Sequence, residues 1–326
     1  MRSLFRLAAL AILAGVAWAA WAVYWPVVPS GAVSVMLRPG WTSRRIAVEL
    51  QRAGVITNST GFLLVHYAQL RPLKAGEYRF ERPANARQVY DRVAQGDVYF
   101  HPVVVPEGFT MFDVASAMQA AGLGTREDFL RQAQADVKLV SDLDPEAQSL
   151  EGYLFPDTYH FTRTQSMHDM IAVMVHRFRQ EAKAIGLDHD LHRLVTLASI
   201  VEKETSSGDE RALVAGVYTN RLARNIALNA DPSVIYAALL AGRYTGVIHQ
   251  SDLQSDSPYN TYRFPGLPPG PIANPGLASL EAALHPAATD FLYFVSDAQG
   301  HHRFARTLEE HNRNVALYRR AAGSNP

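Results

Sequence analysis

Two carboxylates, Glu202 and Glu204, close a stretch with helical patterning, Leu191–Thr205 (LHRLVTLASIVEKET). Leu191, Leu194, Val195, Ala198 and Val201 recur at three- and four-residue spacing, which predicts one buried helical face. At about 100° per residue Glu204 falls beside Leu197 and Ile200, at the edge of that face, and Glu202 falls nearer its middle. A carboxylate at the rim of an apolar face is partly desolvated. Desolvation raises its pKa and favours a protonated general acid. The same residues are also compatible with the solvated end of an ordinary helix, so the rest of the chain has to decide.

A second stretch with chemical potential is the proline- and glycine-rich Ser257–Gly276 (SPYNTYRFPGLPPGPIANPG). Proline fixes the backbone and glycine frees it, so such a loop presents side chains in a preset geometry. At its start Tyr259, Asn260, Thr261 and Tyr262 combine flat apolar rings with an amide and a hydroxyl, which suits a sugar. No phosphate-cradling loop, dinucleotide fingerprint, nucleophile elbow or paired-histidine zinc motif is present. His301, His302 and His311 lack a ligand partner at helical spacing, so neither a metal nor another cofactor is expected.

These residues need positioning elements. A helix is predicted around Ser166–Ile185, before the one that ends in Glu204. Another covers Asp209–Arg224 with Leu213, Val217 and Leu222 inward, and a short one, Val234–Ala241, follows Asp231-Pro232-Ser233. Leu150–Phe161 (LEGYLFPDTYHF) reads as core plus turn. The end of the chain reads as a strand (Phe291–Ser296), a turn at Gln299-Gly300, a short strand and a final helix.

Between Val33 and Gly124 a pattern repeats at an offset of 68 residues, from Gly40 to Gly108. Gly40-Trp41-Thr42, Ile46-Ala47, Leu50-Gln51 and Ala53-Gly54-Val55 correspond to Gly108-Phe109-Thr110, Val114-Ala115, Met118-Gln119 and Ala121-Gly122-Leu123. Each copy reads as a strand (Val33–Leu37; Val103–Val105), a glycine turn, a threonine cap, an amphipathic helix and a glycine stop. Second helices are expected at Thr60–Gln69 and Arg126–Gln134, and Lys74–Tyr78 leads into a strand. Such units loosely resemble LysM modules, which bind cell-wall glycans, and they also fit plain spacer domains.

With 326 residues the chain accommodates two or three domains. Thirty-one basic and 31 acidic residues cancel, so no basic face argues for nucleic acid. There is no cysteine, which excludes disulfides, thiolate metal sites and a cysteine nucleophile. Arg2 and Arg6 precede a charge-free run, Leu7–Trp25, spanning roughly 28 Å at 1.5 Å per residue. Trp18, Trp21, Tyr24 and Trp25 gather at its far end. A single-pass anchor with a cytoplasmic N-terminus is expected, in preference to a cleaved signal peptide.

Taken together, ASIVEKET (Ala198–Thr205), LEGYLFPDTY (Leu150–Tyr159), DPSVIY (Asp231–Tyr236), YNTY (Tyr259–Tyr262) and GLPPGPIANPG (Gly266–Gly276) closely resemble the MltG/YceG-like endolytic murein transglycosylases. The resemblance implies an α+β protein: a transmembrane helix, LysM-like α+β modules, and a mixed α+β catalytic domain with its acid at a helix C-terminus. The expected segments are 1–6 in the cytoplasm, 7–25 in the membrane, 31–100 and 101–149 as repeat-related modules, and 150–326 as the catalytic domain. The implied activity, on the periplasmic face of the bacterial inner membrane, cuts nascent peptidoglycan strands to 1,6-anhydro ends and limits their length. Peptidoglycan strands and, as partners, the peptidoglycan synthases or penicillin-binding proteins follow from the same resemblance. The catalytic Glu of the family matches Glu204, whose Glu-Thr pair is similar to the Glu-Ser of soluble lytic transglycosylases, and Glu202 remains the alternative. Tyr259, Asn260, Thr261 and Tyr262 are the candidates for holding sugar. Two other functions compete: a non-catalytic glycan-binding anchor, and a hydrolytic muramidase, which needs a second carboxylate such as Glu151 or Asp231.

Overall fold

The apolar run at the N-terminus folds as one helix, α1 (Arg2–Tyr24), long and apolar enough to cross a membrane by length and composition. The structure is a computed structural model that describes residues 2–297 and 299–323; Met1 and 324–326, the outer ends of the expected first and last segments, lie outside the described residues. The chain is mixed α+β and divides into two compact units, Met1–Pro102 with His160–Ser166, and Val103–Tyr159 with Met167–Pro326. The stretch expected as a separate second module, 101–149, falls from Val103 onward within the second unit.

In the first unit β1 (Val33–Leu37) is followed by α2 (Ser43–Arg52), α3 (Ser59–Gln69), β2 (Gly76–Phe80) and α4 (Ala86–Gln95). The two strands pair antiparallel from Val33↔Phe80 to Leu37↔Gly76. Alternation sends Val35 and Leu37 inward, where they join Leu50, Phe62, Tyr78, Val89 and Tyr90 in one core. The last turn of α1 is part of this unit. Ala22 is buried, and a Cβ on Gly61 of α3 would sit 2.1 Å from the Ala22 carbonyl oxygen, so only glycine permits that approach.

The second unit starts at Val103, within the strand of the repeat's second copy. β3 (His101–Val105) leads to α5 (Met111–Ala120) and α6 (Arg126–Ala135), and β3 pairs with β4 (Asp157–Phe161). The two copies share local chemistry as well as sequence. Thr42 and Thr110 each cap the following helix by accepting from the backbone N–H three residues on. Gly40 and Gly108 both turn with positive φ, at 80° and 75°. β4 occupies part of the stretch expected as core plus turn.

Then come α7 (Met167–Ala184), α8 (Leu191–Glu204), α9 (Arg211–Ala223), α10 (Asp231–Leu240), the single turn α11 (Gln250–Leu253), α12 (Leu277–Leu284), a hairpin of β5 (Tyr293–Ser296) and β6 (His302–Ala305), and α13 (Leu308–Gly323). Helix α8 packs against α9, α10 and α12. It is buried on every side from Leu194 to Val201, rather than along one face as expected. Its two polar residues there are satisfied locally: the Thr196 hydroxyl donates to the His192 carbonyl and the Ser199 hydroxyl to the Thr196 carbonyl. In α9 the buried face is Val214, Val217, Tyr218 and Arg221, while Leu213 and Leu222 are only partly covered. The expected face was turned by about one residue, because Tyr218 and Arg221 were not counted among the inward positions.

Candidate active site

Glu204 is the last residue of α8, and at Thr205 the backbone leaves the helix for extended geometry. The carboxyl therefore projects where the buried helix ends, into a cleft of about 430 Å³. Tyr218 and Arg221 from α9 line one wall, Asp231 at the start of α10 and Tyr262 another, and Tyr293–Ser296 with His302 of the hairpin a third. All belong to the second unit.

The chemistry of Glu204 follows from its surroundings. Burial pushes its pKa up to about 7, the hydroxyl of Tyr218 lowers it by donating a 2.7 Å hydrogen bond to Oε1, and the negative Asp231 raises it further. Near neutrality the group is thus present both as acid and as base. The Tyr218 phenol is itself held far above its usual range, by burial first and then by Glu204, so it acts as a donor only. Its ring meets Phe294 of the hairpin edge-on at 5.7 Å, which fixes the hydroxyl's direction.

Of the four candidates for holding sugar, Tyr262 reaches the cleft. It is 40% exposed, and its hydroxyl donates to Asp231 Oδ1 at 2.6 Å. Asn260 and Thr261 are buried. The Asn260 amide donates to the Leu253 and Ser255 carbonyls, and its oxygen accepts from the Tyr262 backbone. Thr261 Oγ1 lies 2.8 Å from Ser233 Oγ and accepts from the Ala230 N–H. Thr261 thus fastens the Tyr262 loop to the start of α10, and Asn260 fastens it to the end of α11. Tyr259 packs its ring against Tyr236 at 5.1 Å.

The other carboxylates are placed differently. Glu202 accepts from the Gly276 N–H at 3.0 Å and from Arg211 at 3.4 Å, so it ties α8 to the proline-rich loop. Glu151 is buried at the start of α5, accepting from the Met111 N–H with both oxygens and from Asn274. Burial pushes its pKa up to about 8. Asn274 of the loop uses all its bonding capacity, accepting from the Gly152 and Leu154 N–H groups and donating to the Phe109 carbonyl and Glu151. The motifs around Glu151 and Asn274 are therefore the frame under the site. His302 donates its backbone N–H to Glu210 and its ring Nδ1 lies 2.6 Å from the same carboxylate; His301 Nδ1 is 3.4 Å from it, and His311 stacks on Tyr293.

Sequence reasoning missed Tyr218 and Arg221. The spacing of Val214, Val217, Tyr218 and Arg221 at i, i+3, i+4 and i+7 held the signal.

Comparison with known proteins places this geometry. The sequence model of the YceG-like family matches residues 35–317. A protein of Bacillus subtilis called endolytic murein transglycosylase is 33% identical over 309 residues, covering 88% of this chain and 84% of its own. A protein of the same name from Streptococcus pneumoniae is 31% identical over 87% of this chain, which spans 58% of that longer protein. The crystal structure of a YceG-like protein from Listeria monocytogenes superposes with a TM-score of 0.57 at 33% identity, over 88% of this chain and all of that one. The chain belongs to the YceG-like family.

Proposed function

We infer that the protein is an endolytic murein transglycosylase in which Glu204 serves first as acid and then as base. The observation that carries this is the Glu204 carboxyl, set at a helix end in an open cleft, with its pKa pushed up to about 7. Protonated Glu204 donates to the β-1,4 glycosidic oxygen between N-acetylmuramic acid and N-acetylglucosamine, and the C1–O bond breaks. The substrate's 2-acetamido carbonyl stabilises the cationic C1. Glu204, now a carboxylate, takes the proton from the muramic C6 hydroxyl as that oxygen attacks C1, closing a 1,6-anhydro ring. Proton and atoms balance with no water consumed. A group that gives and takes the same proton works best with a pKa near the working pH.

Tyr218 aims the carboxyl and Tyr262 offers a ring to the sugar, with Asn260 and Thr261 holding Tyr262 in place. Helix α1 is the anchor, with Arg2 and Arg6 on the cytoplasmic side and both units on the periplasmic face. The first unit, and the repeat's second copy, are LysM-like in the order of their elements and bear on the glycan strand beside the membrane. Cleavage there limits strand length in concert with the synthases that extend it.

A second reading, a hydrolytic muramidase, draws on Asp231, whose carboxylate lines the same cleft. Uncrosslinked peptidoglycan strands incubated with the full chain in detergent micelles test the proposal. Anhydro-muramic ends from the wild type and no cut strands from Glu204→Gln are expected. Strands left intact by the wild type would contradict it.

A further inference from the structure

The cleft that holds Glu204 also holds a buried cation that, among the described residues, pairs with no carboxylate. Arg221 is 8% exposed; its Nε donates to the Ala227 carbonyl at 2.9 Å and its Nη1 to the Leu292 carbonyl at 3.2 Å. Two neutral carbonyls engage two of its five N–H donors. Among the described residues no carboxylate pairs with the guanidinium and its Nη2 has no hydrogen-bond partner, while the residue lines the cleft. The ring of Tyr293 lies beneath it at 5.5 Å. On that same ring stacks His311, whose Nδ1 is buried without a partner. Burial and the neighbouring Arg221 hold the His311 pKa below its usual value, so the imidazole is neutral and adds no competing charge.

The Ala227 and Leu292 carbonyls account for Nε and one hydrogen of Nη1. They do not account for Nη2, nor for the orphaned ring nitrogen of His311 on the Tyr293 ring. Desolvating a guanidinium without a counter-charge is costly, and an arrangement of this kind is stabilised when an anion arrives. Its planar fork matches a carboxylate with two parallel N–H···O bonds.

We propose that Arg221, with His311 beside it, is a subsite for a carboxylate of the glycan strand, and that this contact sets the strand's register against Glu204. The proposal rests on the reading of the cleft as murein-cleaving and adds what the cleft selects. Murein offers that chemistry from two sources: the lactyl carboxylate of a muramic residue without peptide, and the carboxylates of a stem peptide where one is attached.

The test uses the full chain in detergent micelles on three uncrosslinked substrates: peptide-bearing strands, strands with the peptides removed by an amidase, and the latter with the lactyl carboxylate reduced to an alcohol. For the wild type, a higher kcat/KM on trimmed than on reduced strands assigns the lactyl group, and a high value on peptide-bearing strands alone assigns the peptide. Arg221→Gln is expected to lower kcat/KM on the preferred carboxylate substrate by about 10- to 100-fold, mostly through KM, with little change on reduced strands. Arg221→Lys, which keeps the charge without the fork, should fall between. Equal wild-type values on all three substrates overturn the proposal even if Arg221→Gln fails to fold. So does a variant that loses activity equally on all three. If the wild type cuts none of them, the murein reading fails and takes the subsite with it.

Discussion

The Tyr218 hydroxyl donates a 2.7 Å hydrogen bond to Glu204 Oε1, linking the fourteen-residue buried helix α8 to its neighbour α9 at the one point where both reach the cleft. This bond opposes burial. Burial favours the protonated carboxyl, and the phenol favours the carboxylate that the proposed reaction needs at its midpoint.

Tyr218→Phe removes the donor and leaves the ring. The Glu204 pKa should rise above its value of about 7, so the descending limb of the kcat/KM profile moves to higher pH. The loss of a charge-assisted bond should cost about 10- to 100-fold in kcat. A pH–rate profile of wild type and variant checks both. An unmoved limb would mean that the bond does not bear on the acid.

Asp231→Asn should shift the same limb the other way. The carboxylate of Asp231 raises the Glu204 pKa, so neutralising it lowers that pKa, while the amide oxygen still accepts from Tyr262. Products should remain anhydro-muramic if Asp231 acts only through its charge. A variant that is inactive at every pH would instead give Asp231 a direct role.

Glu204→Gln should stabilise the protein at alkaline pH. The folded-state pKa lies above the ordinary glutamate value of 4.5. The folded protein therefore binds more protons than the unfolded chain in the window between 4.5 and about 7, and stability falls as pH rises through it. Glutamine keeps the bond from Tyr218 and has no charge to desolvate. Urea unfolding at pH 5 and pH 8 should show a gain at pH 8 on the order of 1–3 kcal/mol and little at pH 5.

Asn274→Ala should unfold the frame rather than the chemistry. It strands the buried Gly152 and Leu154 N–H groups and removes a donor from Glu151, while the backbone N–H of residue 274 still holds the Phe109 carbonyl. Each stranded group costs about 1–3 kcal/mol. Thermal melting should show a large loss of stability, with the profile of residual activity against pH unchanged.

Much of this molecule was legible because its signals are local. Gly40 and Gly108, Thr42 and Thr110 announce turns and caps through their own backbone chemistry, and the repeat doubled each signal. Glu204 was visible as a carboxylate ending an apolar helix. What stayed hidden depends on contacts distant in sequence. Asn260 looked like a sugar-binding amide, yet its donors meet carbonyls five and seven residues away and its oxygen a nearby N–H. Tyr218 was not counted among the inward positions of α9; only the approach of α8 gives its hydroxyl a partner. Glu202 and Glu204 differ by two residues and could not be separated by a helical wheel. The Gly276 N–H, 74 residues along the chain, engages Glu202 and ties it to the proline-rich loop.

As proposed, Glu204 passes a proton without admitting water. Cleavage of uncrosslinked strands in H2-18O by the full chain, with products weighed by mass spectrometry beside those of Glu204→Gln, tests this most directly. Anhydro-muramic ends free of 18O from the wild type, and no new ends from the variant, are the predicted result. Reducing ends carrying 18O at C1 would contradict it and make the protein a hydrolase.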